Sequence, residues 1–318
     1  MSDFNKIKSL SSAVLFLVYN RPQNTKKVFK SLSQVKPTRL YIACDGPKKG
    51  RAEDMRRVSE VRDIVNLVDW NCEVKTLFQD TNLGCKLAVE LAITWFFDHE
   101  EFGIILEDDC LPNNDFYYFC ENLLLKYRND DRVYAITGDN FQQGTVFGNA
   151  SYYFSKYVHV WGWATWRRAW KHYDKDLSFW PSWKKSSEWE VLFTDKKEKK
   201  YWYKIFESVF NNKIDTWDFY WVGCVWKQNG LTATPNLNLV SNIGFGRDST
   251  HTSFKKSSLA NMPTFELDQI VHPFEIIRNE EADRNAFNFV FNSRSLPWPL
   301  ASFFKIFVSV VKLFRGLV

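Results

Sequence analysis

Apolar and polar positions fall into alternating blocks along the first part of this chain. Residues 13–19 (AVLFLVY) are an unbroken apolar run, the pattern of a strand buried on both faces. Asn20, Arg21 and Pro22 break it, and Val28, Leu32 and Val35 carry helical spacing through 23–35. A second strand is predicted at 39–43, closed by Cys44, Asp45, Gly46 and Pro47, and a charged helix over 51–68. A strand at 74–78, an apolar helix over 83–97 and a strand over 102–106 follow. Strands alternating with helices in this way predict a mostly parallel, doubly wound α/β sheet. Next come a helix over 113–127 with an aromatic face (Phe116, Tyr117, Phe119) and a strand at 133–137 ending in Gly138, Asp139 and Asn140.

From about residue 141 regular alternation is lost and Gly, Asn and aromatic residues dominate, which sets a soft boundary near 145. Three parts are expected: an α/β part over 1–145, a second part with a flexible loop over 146–260, and a C-terminal extension over 261–318. In the second part Trp163, Trp166 and Trp170 recur at spacings of three and four, predicting one helical stripe against the core. Trp161 and the Gly162 turn are better placed to line a pocket. The charged stretch 184–204 reads as solvated, with 196–200 a surface loop. Residues 236–252 read as a short strand running into a loop with Gly244 and Gly246. The tail 300–318 is apolar except for Lys305, Ser309, Lys312 and Arg315, a narrow cationic stripe on a greasy cylinder. That pattern suits a helix lying in a membrane interface, or one docked on protein.

Composition narrows the function. Aromatic residues reach 17%, with 14 Trp and 28 Phe, more than a core needs, and exposed aromatic faces suit sugar rings and membrane interfaces. The net charge of +5 is dispersed, so nucleic acid is not an expected partner. Six cysteines (Cys44, Cys72, Cys85, Cys110, Cys120, Cys224) show no CxxC pair and no metal-ligand spacing, and residues 1–12 lack a signal-peptide core. A reducing, cytoplasmic compartment is expected, with peripheral attachment to an inner membrane through the tail.

The candidate chemistry lies where strands end. FGIILEDD at 102–109 is an apolar run that stops in Glu107, Asp108 and Asp109. Clustered carboxylates repel and are costly to bury unless paired or bound to a cation. In open α/β sheets ligands bind at the carboxyl ends of strands. If the sheet is parallel, Arg21, Asp45 and the acidic triplet gather at one edge. An Arg for phosphate, an Asp able to accept from a base N–H and acids for a metal together make a nucleotide site. No GxGxxG and no GxxxxGK[ST] occurs. Later in the chain, Asp215 and Asp218 lie in an aromatic setting (IDTWDFYW, 214–221), where burial raises a carboxylate's pKa and makes it a better base. Asp215 either caps the following helix or shares that role. In the loop, Arg247 suits a diphosphate; His251 is either a metal or phosphate contact or an exposed loop histidine.

With these residues laid out, the chain resembles glycosyltransferases of the GT-A (nucleotide-diphospho-sugar transferase) fold. It is most similar to the alpha-mannoside beta-1,2-N-acetylglucosaminyltransferases and a related bacterial group labelled hemolysis-associated. The motifs are LVYNR at 17–21, ACD at 43–45, LEDD at 106–109, Gly162 with Trp163, Trp217 with Asp218, and GFGR at 244–247. The resemblance implies that Arg21 contacts the nucleotide, that Asp45 bonds a uracil, and that Glu107 and Asp108 contact donor sugar and ribose. It further implies that Asp109 binds Mn²⁺ or Mg²⁺ and that the Gly-rich loop orders over the donor. The implied activity is inverting transfer from a nucleoside diphosphate sugar, UDP-linked by expectation, to a glycan or lipid-linked acceptor in bacterial surface polysaccharide or lipopolysaccharide synthesis. One departure concerns the base. The family has Trp-Asp-Asp-Trp, whereas Phe219 follows Asp218 here, so Asp218, Asp215 and Asp139 are all candidates.

Two rival readings follow from the same residues. A sugar-nucleotide pyrophosphorylase needs a Gly-rich basic loop straight after the first strand, where Asn20, Arg21, Pro22 and Gln23 stand instead. A non-catalytic carbohydrate-binding protein would use the Trp residues without the acidic triplet.

Overall fold

The computed structural model describes residues 9–245 and 257–292. Its first half follows the apolar blocks: β1 (Ala13–Val18), α1 (Pro22–Val35), β2 (Arg39–Cys44), α2 (Ala52–Arg62), β3 (Glu73–Phe78), α3 (Cys85–His99) and β4 (Phe102–Glu107). The charged segment predicted as one helix to 68 changes to a 3-10 turn at Asp63–Leu67. A short β5 (Cys110–Pro112), α4 (Asn114–Lys126) and β6 (Val133–Thr137) come next, with α4 capped by the Asn113 side chain, which accepts from Phe116 N.

The second half supplies β7 (Tyr152–Ser155), β8 (Trp163–Trp166), α5 (Arg167–Trp170), α6 (Trp180–Trp183), α7 (Ser187–Val191), α8 (Lys196–Phe210), α9 (Asp218–Lys227), β9 (Leu231–Pro235), β10 (Val240–Asn242) and α10 (Glu280–Ala286). Eight strands form one sheet in the order β3-β2-β1-β4-β8-β6-β9-β7. The β3-β2-β1-β4 half is parallel, as is β6-β9, whereas β8 and β7 run antiparallel to their neighbours. The sheet is therefore mixed, and the strands beyond residue 145 are woven into it.

Alternation sorts β1 between two cores. Val14, Phe16 and Val18 pack with α1, α2 and α4 on one face, while Ala13, Leu15 and Leu17 pack with α3, α8 and α9 on the other. Two expectations from the second half are corrected. Trp163 and Trp166 belong to a strand, so they fall on opposite faces of the sheet, Trp163 in one core and Trp166 in the other; only Trp170 is helical. Residues 196–200 open helix α8, capped by the Asp195 side chain on Lys197 N; they are not a loop. The free edge of β7 is covered by the strap 265–279, through Ser151 N to Val271 O (2.8 Å) and Asn279 N to Phe154 O (2.7 Å).

Candidate active site

Because β1, β2 and β4 are adjacent and parallel, their carboxyl ends meet at one edge, as predicted. There the Arg21 guanidinium donates to Asp109 Oδ2 at 2.6 Å and to Asp108 Oδ1 at 3.4 Å. Asp108 Oδ2 also accepts from Tyr19 N at 3.2 Å. Burial alone would lower the Arg21 pKa, but Asp108, Asp109 and Glu107 outweigh it and raise the value. Asp108 and Glu107 move up, chiefly because burial disfavours their charged forms; for Glu107, Asp109 and Asp108 add repulsion and Asp218 adds a smaller share. Electrostatics thus put Asp218 within range of the triplet although it lies over a hundred residues away.

The other side of the cluster is built by β5 and β10, which pair antiparallel just beyond it. Ile243 N donates to Asp109 O at 2.8 Å, bringing Gly244 against the carboxylate. A β-carbon at Gly244 would stand 2.0 Å from Asp109 Oδ2, so only glycine fits there. Trp161 flanks this corner: its ring meets Phe245 edge-on at 5.7 Å, and its backbone N–H donates to the buried Asp139 at 3.1 Å. Burial pushes Asp139 well above the ordinary carboxylate range.

Asp218 is the first residue of α9, and its carboxylate accepts from Phe219 N at 2.9 Å and from the Thr216 hydroxyl. No side chain caps α9, whose N-cap is Trp217; Asp215 is exposed and does not serve as the cap. Cys85, at the start of α3, lies in the field of both groups. Burial pushes its thiol up to about 12, with Glu107, Asp218 and Asp215 adding their charges. At neutral pH it is not a nucleophile.

Asp45 stands apart from the salt-bridged cluster. Its carboxylate accepts from Gly46 N, Leu83 N and Gly84 N and from Asn82 Nδ2. Asn82 also donates to Tyr19 Oη at 3.2 Å, which links Asp45 to the end of β1. Tyr19 Oη in turn donates to Asp54, which accepts from Asn20 Nδ2 and Lys48 N as well. The sequence pattern gave no role to Asn82 or Asp54, and took Tyr19 only as part of the first apolar run and the LVYNR motif. The Asn and Gly of NLG at 82–84 are turn residues and were a usable signal, whereas Asp54 looks like any acid in a first helical turn. Arg247 and His251 lie outside the described residues, as does the tail 300–318.

All six cysteines are free thiols, and no helix among the described residues is long and apolar enough to cross a membrane. No family model matches the sequence, and no curated protein matches it. Among solved structures, S. aureus TarS 1-349 overlaps 49% of this chain and 47% of its own, at 12% identity and TM-score 0.35. HddC from Yersinia pseudotuberculosis overlaps 54% of this chain and 85% of its own, at 11% identity and TM-score 0.33. The chain spans about half the length of that TarS, and likenesses this partial transfer neither residues nor activity.

Proposed function

We propose that the chain is a glycosyltransferase that moves a sugar from a nucleoside diphosphate sugar, UDP-linked in the first instance, to a hydroxyl of a glycan or lipid-linked acceptor. The observation that carries this reading is the meeting of Arg21 with Asp108 and Asp109 at adjacent parallel strand ends, with Glu107 beside them and Asp218 in electrostatic range. A cationic group among acids at such an edge suits a ligand carrying both phosphates and hydroxyls.

Among the described residues no group of three or more His, Cys, Asp and Glu side chains could hold a metal ion as a cage. The donor chemistry nonetheless fits Mg²⁺ or Mn²⁺ that arrives with its substrate, since such ions are commonly held by one or two carboxylates plus phosphate oxygens. Asp109 would be the protein ligand, with His251 a further candidate. A divalent ion there would supply charge compensation for a departing diphosphate.

The chain's own residues do the rest. Arg21, held by Asp108 and Asp109, offers a fixed cation to the phosphates, and Arg247 is a candidate for a second. Glu107 and Asp108 accept from sugar and ribose hydroxyls. Asp218, oriented by Thr216 and Phe219 N, takes the proton from the acceptor hydroxyl, and attack from that side inverts the anomeric centre. Trp161 offers an aromatic face for the acceptor ring. The apolar, cation-striped tail 300–318 is assigned to an anionic membrane surface, which would bring the enzyme to a lipid-linked acceptor.

A panel of UDP-, GDP- and dTDP-sugars, assayed for hydrolysis and transfer with and without Mn²⁺ or Mg²⁺, tests the reading. Metal-dependent turnover of at least one donor is expected. Asp109→Ala should abolish it in a protein that stays folded by circular dichroism. Asp218→Asn should lower transfer by about 10²–10⁴-fold while leaving donor binding intact. Calorimetry that finds no nucleotide sugar bound, with either metal, would overturn it.

A further inference from the structure

We propose that Asp45 is a positioning residue that latches the 82–84 turn into the site, and that it does not read the nucleobase. Its selectivity consequence rests on the nucleotide reading above; its structural consequence does not.

A carboxylate has about four lone-pair positions for hydrogen bonds. Those of Asp45 are taken within the protein. Oδ1 accepts from Gly46 N and Leu83 N, both at 2.8 Å, and Oδ2 accepts from Asn82 Nδ2 at 2.8 Å and Gly84 N at 3.1 Å. A base N–H could bond this group only by displacing one of those donors. The acceptor expected for uracil is thus already committed to the turn between β3 and α3.

The turn is pressed close. A β-carbon at Gly46 would stand 2.3–2.5 Å from the Thr81 backbone, so the two segments approach as only glycine permits. Asn82 Nδ2 also reaches Gly46 O at 3.0 Å and Tyr19 Oη at 3.2 Å. Tyr19 N meets Asp108 at 3.2 Å, while at the far end a β-carbon at Gly84 would lie 3.9 Å from Asp215 Oδ2. The latch is therefore bonded through Tyr19 to the acidic triplet and sets Gly84 beside the segment carrying Asp215 and Asp218. It also sets where α3 begins, with Cys85 in the field of Glu107 and Asp218.

Two variants test this. Asp45→Asn removes one acceptor oxygen and turns an amide N–H₂ towards Asn82 and Gly84 N; Asn82→Ala removes the side-chain donor and leaves the backbone donors. Hydrogen exchange is measured on both, together with calorimetry for UDP, CDP and GDP. In Asp45→Asn, exchange at the Gly84 amide should accelerate by about tenfold or more, while Leu83, whose acceptor oxygen remains, and strands β1 and β4 keep their protection. Both variants should weaken binding of the three nucleotides by a common factor, with the preference among them unchanged. Unaltered exchange at Gly84 in Asp45→Asn would overturn the latch. So would loss of the preference for UDP over CDP in Asp45→Asn but not in Asn82→Ala. If the unaltered protein binds none of the nucleotides, the proposed function falls and the exchange result still decides the latch.

Discussion

Charge at the carboxyl edge is managed by neighbours a few ångströms apart. Arg21 neutralises Asp108 and Asp109 in partial burial, where removing one partner of an ion pair is far more costly than on an open surface. A contrasting case is His159, whose ring lies edge-on to Phe141 at 4.6 Å and stacks on Tyr157 at 6.0 Å. Burial pushes its pKa down from 6.5 to about 3. A folded value below the unfolded one means that the unfolded chain takes up the proton first. Stability is then fully present above about pH 6.5 and is lost as pH falls toward about 3. His159→Phe keeps the ring contacts and removes the titration, so the decline of the urea midpoint across that window should become shallower. An unchanged decline would assign the acid sensitivity elsewhere.

At the scale of elements, helix α8 is tied to the sheet by a buried ion pair. Lys156, just past β7, meets Glu198 at 2.8 Å with both side chains almost wholly out of solvent. Phe193 and Trp226 flank the ammonium at 4.3 and 5.2 Å, and the Tyr157 hydroxyl also bonds Glu198. Burial lowers the Lys156 pKa to about 8, against the opposing pull of Glu198. Lys156→Met leaves Glu198 charged and unpaired, and should destabilise the fold by about 3–5 kcal/mol in urea unfolding. The double variant Lys156→Met, Glu198→Gln should recover most of that loss, because no uncompensated charge remains. Equal stability of the single and double variants would mean that the pair is not coupled. The run KKEKK at 196–200 reads as solvated in sequence; the burial of Glu198 within it depends on Lys156, some forty residues earlier, which no local pattern reveals.

At the scale of the molecule, one sheet carries both halves of the chain, with β8 inserted between β4 and β6. This insertion brings Trp163, which stacks near Trp217 at 5.7 Å, and hence the start of α9, to the strand that ends in the acidic triplet. The membrane assignment also belongs to this scale. Deleting 300–318 should release the protein from vesicles containing anionic lipid in a cosedimentation assay, with activity on a soluble acceptor retained. Undiminished cosedimentation would set that assignment aside.

The sequence alone determined the first half: strands 13–18, 39–44 and 102–107 announce themselves because strands inside a parallel sheet are largely apolar and end where polar groups begin, while the edge strand 73–78, half-exposed with Glu73, Lys75 and Thr76, is placed by the alternation of strands and helices around it. It also picked out Arg21 and the acidic triplet, since strand ends in a parallel array must share an edge. Only the tertiary structure decided which way Trp163 and Trp166 point, because four residues at the junction of a strand and a helix satisfy either period. It alone decided that Arg21 pairs with the acids and that Asp45 is engaged by the 82–84 turn. Hydrogen bonds between residues tens of positions apart are set by packing, and the periodicity of a chain carries no record of them.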